Sequence, residues 1–278
     1  MQTVAGHLEP WQAAFAISGV PGLLLAWFAF LLPEARRVST NATQRVLKPL
    51  VELLAQRPAV MAAQFLGFSM NSLMGYSLMA WAPTFMGRKF GWHSAEIGSA
   101  LGLAFGLSGA IATLGSGIAV DRLWTKGVRG GHYLFASVAL AIATPAAAIA
   151  FVGASPWIFL AGVFIIYFAS ALCLNMGATA LQLLTPPALR GRLSGLYLFW
   201  TNMIGAGLGP LIVAYMTQNV FHNKAKIGSA LAIVTPVSAF LGALILWSAR
   251  RAYALAVLGP SAESMEEHGG DAASMELV

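Results

Sequence analysis

Seven stretches of this chain, residues 12 to 32, 59 to 86, 95 to 120, 132 to 153, 156 to 184, 194 to 217 and 226 to 250, are apolar. Each reaches the roughly 20 residues that a helix needs to cross a bilayer. Lipid offers no hydrogen bonds to a backbone, so only helices and closed barrels span it. The runs are apolar all round and lack the alternating pattern of barrel strands, which leaves helices. The expected fold is therefore an all-α integral membrane protein with seven transmembrane helices. The composition agrees, since 58% of the residues are hydrophobic and 9% are charged, against roughly 25% charged in soluble domains.

The basic residues orient these helices. Arg36, Arg37, Arg45, Lys48 and Arg57 follow the first span, Arg122, Lys126 and Arg129 the third, Arg190 and Arg192 the fifth, and Arg250 and Arg251 the seventh. The opposite side holds only Arg88, Lys89, Lys224 and Lys226. The positive-inside rule places the larger group in the cytoplasm, with the N-terminus outside and the C-terminus inside, in a plasma (inner) membrane. Basic loops facing an anionic leaflet account for the net charge of +6 without any nucleic acid. Cys173 is the one cysteine and lies in an apolar run, so no internal disulfide can form. Residues 1 to 11 carry no Lys or Arg, and the span after them is longer than a signal peptide's apolar region of roughly 7 to 15 residues.

The organisation expected along the chain is an external stub at 1–11, a helix at 12–32, a cytoplasmic loop at 33–58, a six-helix unit at 59–250 and a disordered acidic cytoplasmic tail at 251–278. Within the loop, residues 45 to 56 space apolar residues helically between basic ones, as a short interfacial helix would. The first, fourth and seventh spans have few polar side chains and are expected at the periphery, facing lipid. The pairs between them carry polar or glycine-rich faces, a period of three helices that fits a 3+3 inverted repeat.

In the third span Gly98, Gly102, Gly106, Gly109, Thr113, Gly117 and Asp121 recur at steps of four or three. This line of small residues is expected to let another backbone approach, which is how helices associate in lipid. It ends in Asp121-Arg122, with Lys126 and Arg129 beyond, so a charge cluster sits at one membrane surface.

Candidate cavity residues are neutral. The second span aligns Gln64, Asn71 and Gly75, with Tyr76 beside them; the fifth aligns Asn175, Thr179 and Gln182; the sixth aligns Asn202, Gly205 and Gly209. Structural pairing between helices and the lining of a cavity are both open to each of them. Trp81 and Trp200 are near span ends, where interfacial anchoring is the ordinary role. Arg190 and Arg192 belong to a basic turn, TPPALRGRLSG. Within the spans the charged residues, Glu96, Lys226 and Arg250, all lie at edges. The usual signs of a proton relay or ion site are thus missing, and the lack of a Lys in the interior of a span removes a retinal Schiff base. No HExxH or paired carboxylate is present, so neither an enzyme, a metal site nor a cofactor is expected.

The residues resemble the major facilitator superfamily of secondary transporters. WQAAFAISGVPGLLLAWFAFLLPEARR is similar to that family's sixth helix and the start of its central loop. GSGIAVDRLWTKGVRG resembles its second G-x-x-x-D-R motif, with Gly117, Asp121 and Arg122 matching, although the basic residues that follow depart from the usual ending. PPALRGRLSGLYLFWTNMIGAGLGP is similar to the turn and eleventh helix of the Spinster-like branch. The resemblance implies helices six to twelve of the fold, and alternating access for a small organic or lipophilic solute. It also implies a truncated chain whose partners are the lipid bilayer, the small-molecule substrate and a missing N-terminal half, and it gives Asp121-Arg122 a gating role. The alternatives are a non-transporting membrane fragment and a seven-helix receptor.

Overall fold

The computed structural model describes residues 10–29 and 47–258. The described residues form helices and no strands. The stub up to residue 9, loop residues 33–46 and the tail beyond 258 lie outside them. Two units are distinct. The first contains α1 (Pro10–Ala29), whose large apolar side chains include Phe15, Leu23, Leu24, Trp27 and Phe28.

The second unit begins with α2 (Leu47–Gln56), the expected amphipathic helix. Its Leu50, Leu53 and Leu54 pack against the core, while Lys48 and Glu52 pair at 3.9 Å on the exposed side. It then runs through α3 (Pro58–Phe90), α4 (Ser94–Thr125), α5 (Gly131–Val152) and α6 (Pro156–Leu184). Next come α7 (Arg190–Asn202), a π-helical segment (Met203–Leu208), α8 (Gly209–Tyr215) and a second π-helical segment (Met216–Val220). A 3-10 turn (Lys224–Lys226) leads into α9 (Ile227–Leu258).

Five helical segments are long and apolar enough to cross a membrane: Ser94–Thr125, Gly131–Val152, Pro156–Leu184, Arg190–Val220 and Lys224–Leu258. The 33 residues of α3 are long enough, but Gln64, Asn71 and several serines make it less apolar than those five. In α1 the apolar stretch found is the shorter Phe15–Phe28. Five of the seven expected spans therefore stand out among the described residues.

The helix boundaries follow from local chemistry. Pro58 starts α3, where a missing N–H costs nothing, and Gly91 ends it with a φ of 69°, a left-handed conformation that glycine adopts without strain. Glu96 closes the start of α4 by accepting from the His93 backbone N–H at 2.9 Å, which gives this charged residue at the span's edge a capping role. Ser155 caps α6 by accepting from Trp157 N–H at 3.3 Å.

Helix α3 is the centre of this unit, buried on several sides and touching α6, the α7–α8 region and α9. Close approach is made where side chains are small. A Cβ on Gly75 would lie 2.7 Å from Ser170 Oγ, and one on Gly205 would lie 2.6 Å from Ser72 Cβ. Within this unit the glycine line of α4 is open: among the described residues nothing lies within 4 Å of a Cβ built on Gly98, Gly102, Gly106, Gly109 or Gly117. The buried side of α4, which packs mainly on α6, carries Ile97, Leu101, Ser108, Ala112 and Ser116, with Ile97 against Gly87 of α3. The larger members of that stripe bury more surface than glycines can, which is why it, and not the glycine line, meets the neighbour within this unit.

The fourth and seventh spans, expected at the periphery, are well packed. Half of the apolar stretch of α9 is buried, against 22% for α4. The cause is that α9 lies along both α3 and α5, where Gly67 and Gly242 admit Leu246 and Leu140. Helix α9 also runs on to Leu258, so the first eight residues assigned to the tail are helical. Arg57 clamps this end by donating to the Ala256 carbonyl.

Candidate functional site

A pocket of about 280 Å³ opens between α3 and α6, lined by Asn71, Ser72, Gly75, Tyr76, Met79, Tyr167, Ser170, Ala171 and Leu174. The residues fall there because α3 presents Asn71 and Gly75 one helical turn apart, with Ser72, Tyr76 and Met79 beside them. From α6, Tyr167, Ser170 and Leu174 follow at steps of three and four. The absence of a side chain at Gly75 lets Ser170 approach α3.

Among the described residues no charged one lines this pocket. Asn71 is 3% exposed, and its Nδ2 donates to the Ser170 carbonyl at 3.3 Å while its Oδ1 has no partner. That orientation leaves a buried acceptor waiting for a donor, a condition that costs about 1–3 kcal/mol if unmet. Tyr76 donates its hydroxyl to Asn202 Oδ1 at 2.8 Å, which joins the pocket's rim to the end of α7. The chain there turns π-helical at Met203, and Trp81 Nε1 donates to the carbonyl of Pro210 at 3.1 Å. Such segments leave main-chain groups out of regular register and recur at functional sites.

Of the seven expected cavity residues, Asn71, Tyr76 and Asn202 are brought together. Gln64 is elsewhere, fully buried within the helix packing, where Nε2 donates to the Gly177 carbonyl at 2.7 Å and Oε1 accepts from Tyr133 at 3.0 Å. Asn175 faces α4, donating to Thr113 Oγ1 and Ser116 Oγ, both at 3.3 Å. Thr179 is exposed and bonds the Asn175 carbonyl of its own helix, and Gln182 is exposed. Trp200 is 40% exposed.

The motif residues lie at the end of α4. Asp121 and Arg122 are exposed, and their side chains make no hydrogen bond or ion pair among the described residues, of which none lies within 4 Å of a Cβ built on Gly117. Arg190 Nε donates to the Thr185 carbonyl at 3.1 Å and so closes the turn before α7, whereas Arg192 is exposed. Among the described residues no group of His, Cys, Asp or Glu could hold a metal.

Tyr167, Ser170, Met79 and Leu174 were not singled out from sequence. The signal was available in part, since Ser170 shares a line of three- and four-residue steps with Tyr167 and Leu174. Tyr133 was also missed. It lies in the span read as poor in chemistry, yet it bonds Gln64 and stacks on Tyr253 with centroids 4.2 Å apart and planes 8° from parallel.

Among known proteins, this chain is 26% identical over 247 residues to an MFS-type efflux pump of Mycolicibacterium smegmatis, a match that covers 87% of the chain and 57% of that protein. The chain thus spans a little over half the length of this relative. Two crystal structures share the fold, both of a bacterial homolog of the human lysosomal transporter Spinster in inward-facing form. The unoccupied one superposes with a TM-score of 0.58 and the occupied one with 0.51, each at 20% identity and over 92% of this chain. They are covered to 60% and 59%. The family model described as Major Facilitator Superfamily matches residues 3–210 and 65–264. This chain belongs to the Major Facilitator Superfamily.

Proposed function

We propose that the chain forms part of a secondary transporter for a small organic or lipophilic solute, working by alternating access. The observation that carries this reading is the charge-free pocket in which Asn71 Oδ1 stands buried without a donor between tyrosines. Such a pocket suits a solute with an apolar body and one N–H or O–H group, because the solute would complete a bond the fold leaves open. The relative from Mycolicibacterium smegmatis is named an efflux pump, which supports export as the direction.

In this reading the helices correspond to the sixth to twelfth of the fold, and a further set of helices outside this chain supplies the other wall of the cavity. The open glycine line of α4 and the unpartnered Asp121-Arg122 would then meet that wall. Basic residues concentrated where α3 begins and α9 ends support a cytoplasmic position for that end, in a plasma (inner) membrane.

The test is flux into liposomes containing the chain within a twelve-helix parent. Neutral amphipathic solutes should move, and Asn71→Leu should slow them while leaving the yield of folded protein unchanged. Transport restricted to organic anions, or no transport across a broad panel, would overturn the reading.

A further inference from the structure

The far end of the bundle gathers cations in a way that neither transport nor topology requires. Sequence puts only Arg88, Lys89, Lys224 and Lys226 on this side of the membrane. Three of the four, Arg88, Lys89 and Lys224, line a single pocket of about 650 Å³ together with Phe85, Phe151, Gly228 and Ser229. No acidic side chain lines it.

The way these cations are held matters. Lys89 Nζ donates to the carbonyls of Phe151 at 3.1 Å and Gly153 at 2.7 Å, and Arg88 Nη1 donates to the carbonyl of Lys224 at 2.8 Å. They are positioned by backbone carbonyls and not by carboxylates, so their charge is fixed in place without being neutralised. Arg88 keeps its other guanidinium N–H groups, and Lys224 is exposed. Gly228 and Ser229 belong to the first turn of α9, whose amides lack intrahelical acceptors and whose dipole favours an anion. The rings of Phe85 and Phe151, buried and in contact at 5.5 Å, give the pocket an apolar floor that continues into the spanning region.

We propose that this pocket, separate from the one between α3 and α6, binds a phosphate-bearing anion. Arg88 and Lys224 provide direct charge, the start of α9 provides amides, and Lys89 provides fixed background charge. A phospholipid headgroup and free phosphate share this chemistry. The pocket lies where spanning helices end, and its floor is aromatic, so it can take a headgroup with the upper part of its chains.

The experiment uses the whole chain in nanodiscs. Thermal unfolding and native mass spectrometry are read in phosphatidylcholine alone, in phosphatidylcholine with phosphatidylglycerol, and in phosphatidylcholine with inorganic phosphate in the buffer. R88Q/K224Q is compared with the unaltered chain, and Lys224→Gln alone serves if the double variant folds poorly. A basic residue near an anionic membrane contributes about 1 kcal/mol, so each removal should weaken binding about fivefold. Retention of phosphatidylglycerol that falls about fivefold for each charge removed identifies a lipid headgroup as the source. A response to inorganic phosphate that falls likewise identifies a soluble one. The proposal is overturned if neither anion stabilises the chain, or if the variants respond as the unaltered chain does.

Discussion

The hydroxyl of Tyr76 donates to Oδ1 of Asn202, and Asn202 donates Nδ2 to the carbonyl of Leu198, both at 2.8 Å. The pair ties the middle of α3 to the last residue of α7, just before the chain becomes π-helical. Hydrogen bonds between membrane helices average about 0.6 kcal/mol, with a maximum near 1.7. Tyr76→Phe should lower stability within that range and leave the helix content intact. Unfolding in mixed micelles measures this, and a variant as stable as the parent would show that the bond contributes nothing.

Two glycine substitutions should act in opposite directions. At Gly205 a methyl group would press on Ser72 and on the Tyr76 ring, 2.6 and 2.8 Å away, so Gly205→Ala should cost about 1–3 kcal/mol. At Gly106 nothing lies within 4 Å, and Gly106→Ala should stabilise the chain by about 0.5–1 kcal/mol through helix propensity. Thermal unfolding of both variants, side by side, checks the sign of each.

Tyr133→Phe removes the hydroxyl that serves Gln64 Oε1 at 3.0 Å and the Val60 carbonyl at 3.2 Å, leaving a buried amide oxygen without a donor. The expected cost is about 1–3 kcal/mol. Adding Gln64→Leu should recover part of it, because the orphaned group is then gone. Additive losses in the double variant would mean the two residues are not coupled.

Cysteine scanning distinguishes cavity from packing. With Cys173→Ala as background, cysteine at Gln182, Asn175 and Asn71 should react with a small water-soluble thiol reagent in the proposed twelve-helix protein. Cysteine at Gln64 should stay protected, since that position has no exposed surface. Reaction at Gln64 as fast as at Gln182 would contradict the packing described here.

Asp121→Asn should change the stability of this chain by no more than about 0.5 kcal/mol, because the carboxylate is exposed and unpaired among the described residues. In the parent, where the motif is proposed to gate the cytoplasmic side, the same change should shift the balance of inward- and outward-open forms. Distance labels across that face measure it, and an unaltered distribution leaves Asp121 as a helix-end residue alone.

Periodicity made much of this legible. The apolar runs mark the long helices, and steps of three and four place Asn71 near Gly75 and Asn202 in line with Gly205. Spacing says which residues share a face, but not which face meets a neighbour. On α4 the glycine line and the stripe through Leu101 and Ala112 have the same period, and only tertiary packing chose between them. Tyr133 was hidden for a related reason. Its partners, Gln64 and Tyr253, lie 69 and 120 positions away, and no local pattern records such a pairing. The π-helical segments around Pro210 left a trace in the density of glycines in GAGLGP, but a change of helical register has no signature of its own.

Between Arg190 and Val220 a regular helix gives way twice to wider turns, on either side of Gly209–Tyr215, and the Trp81 indole grips the carbonyl of Pro210 in that short middle piece. Mechanically this is a rod with two soft joints and a pinned link between them. The Arg190 end and the Val220 end are thus joined through three separately bonded pieces and not through one continuous ladder, and the indole fixes the short middle piece to α3.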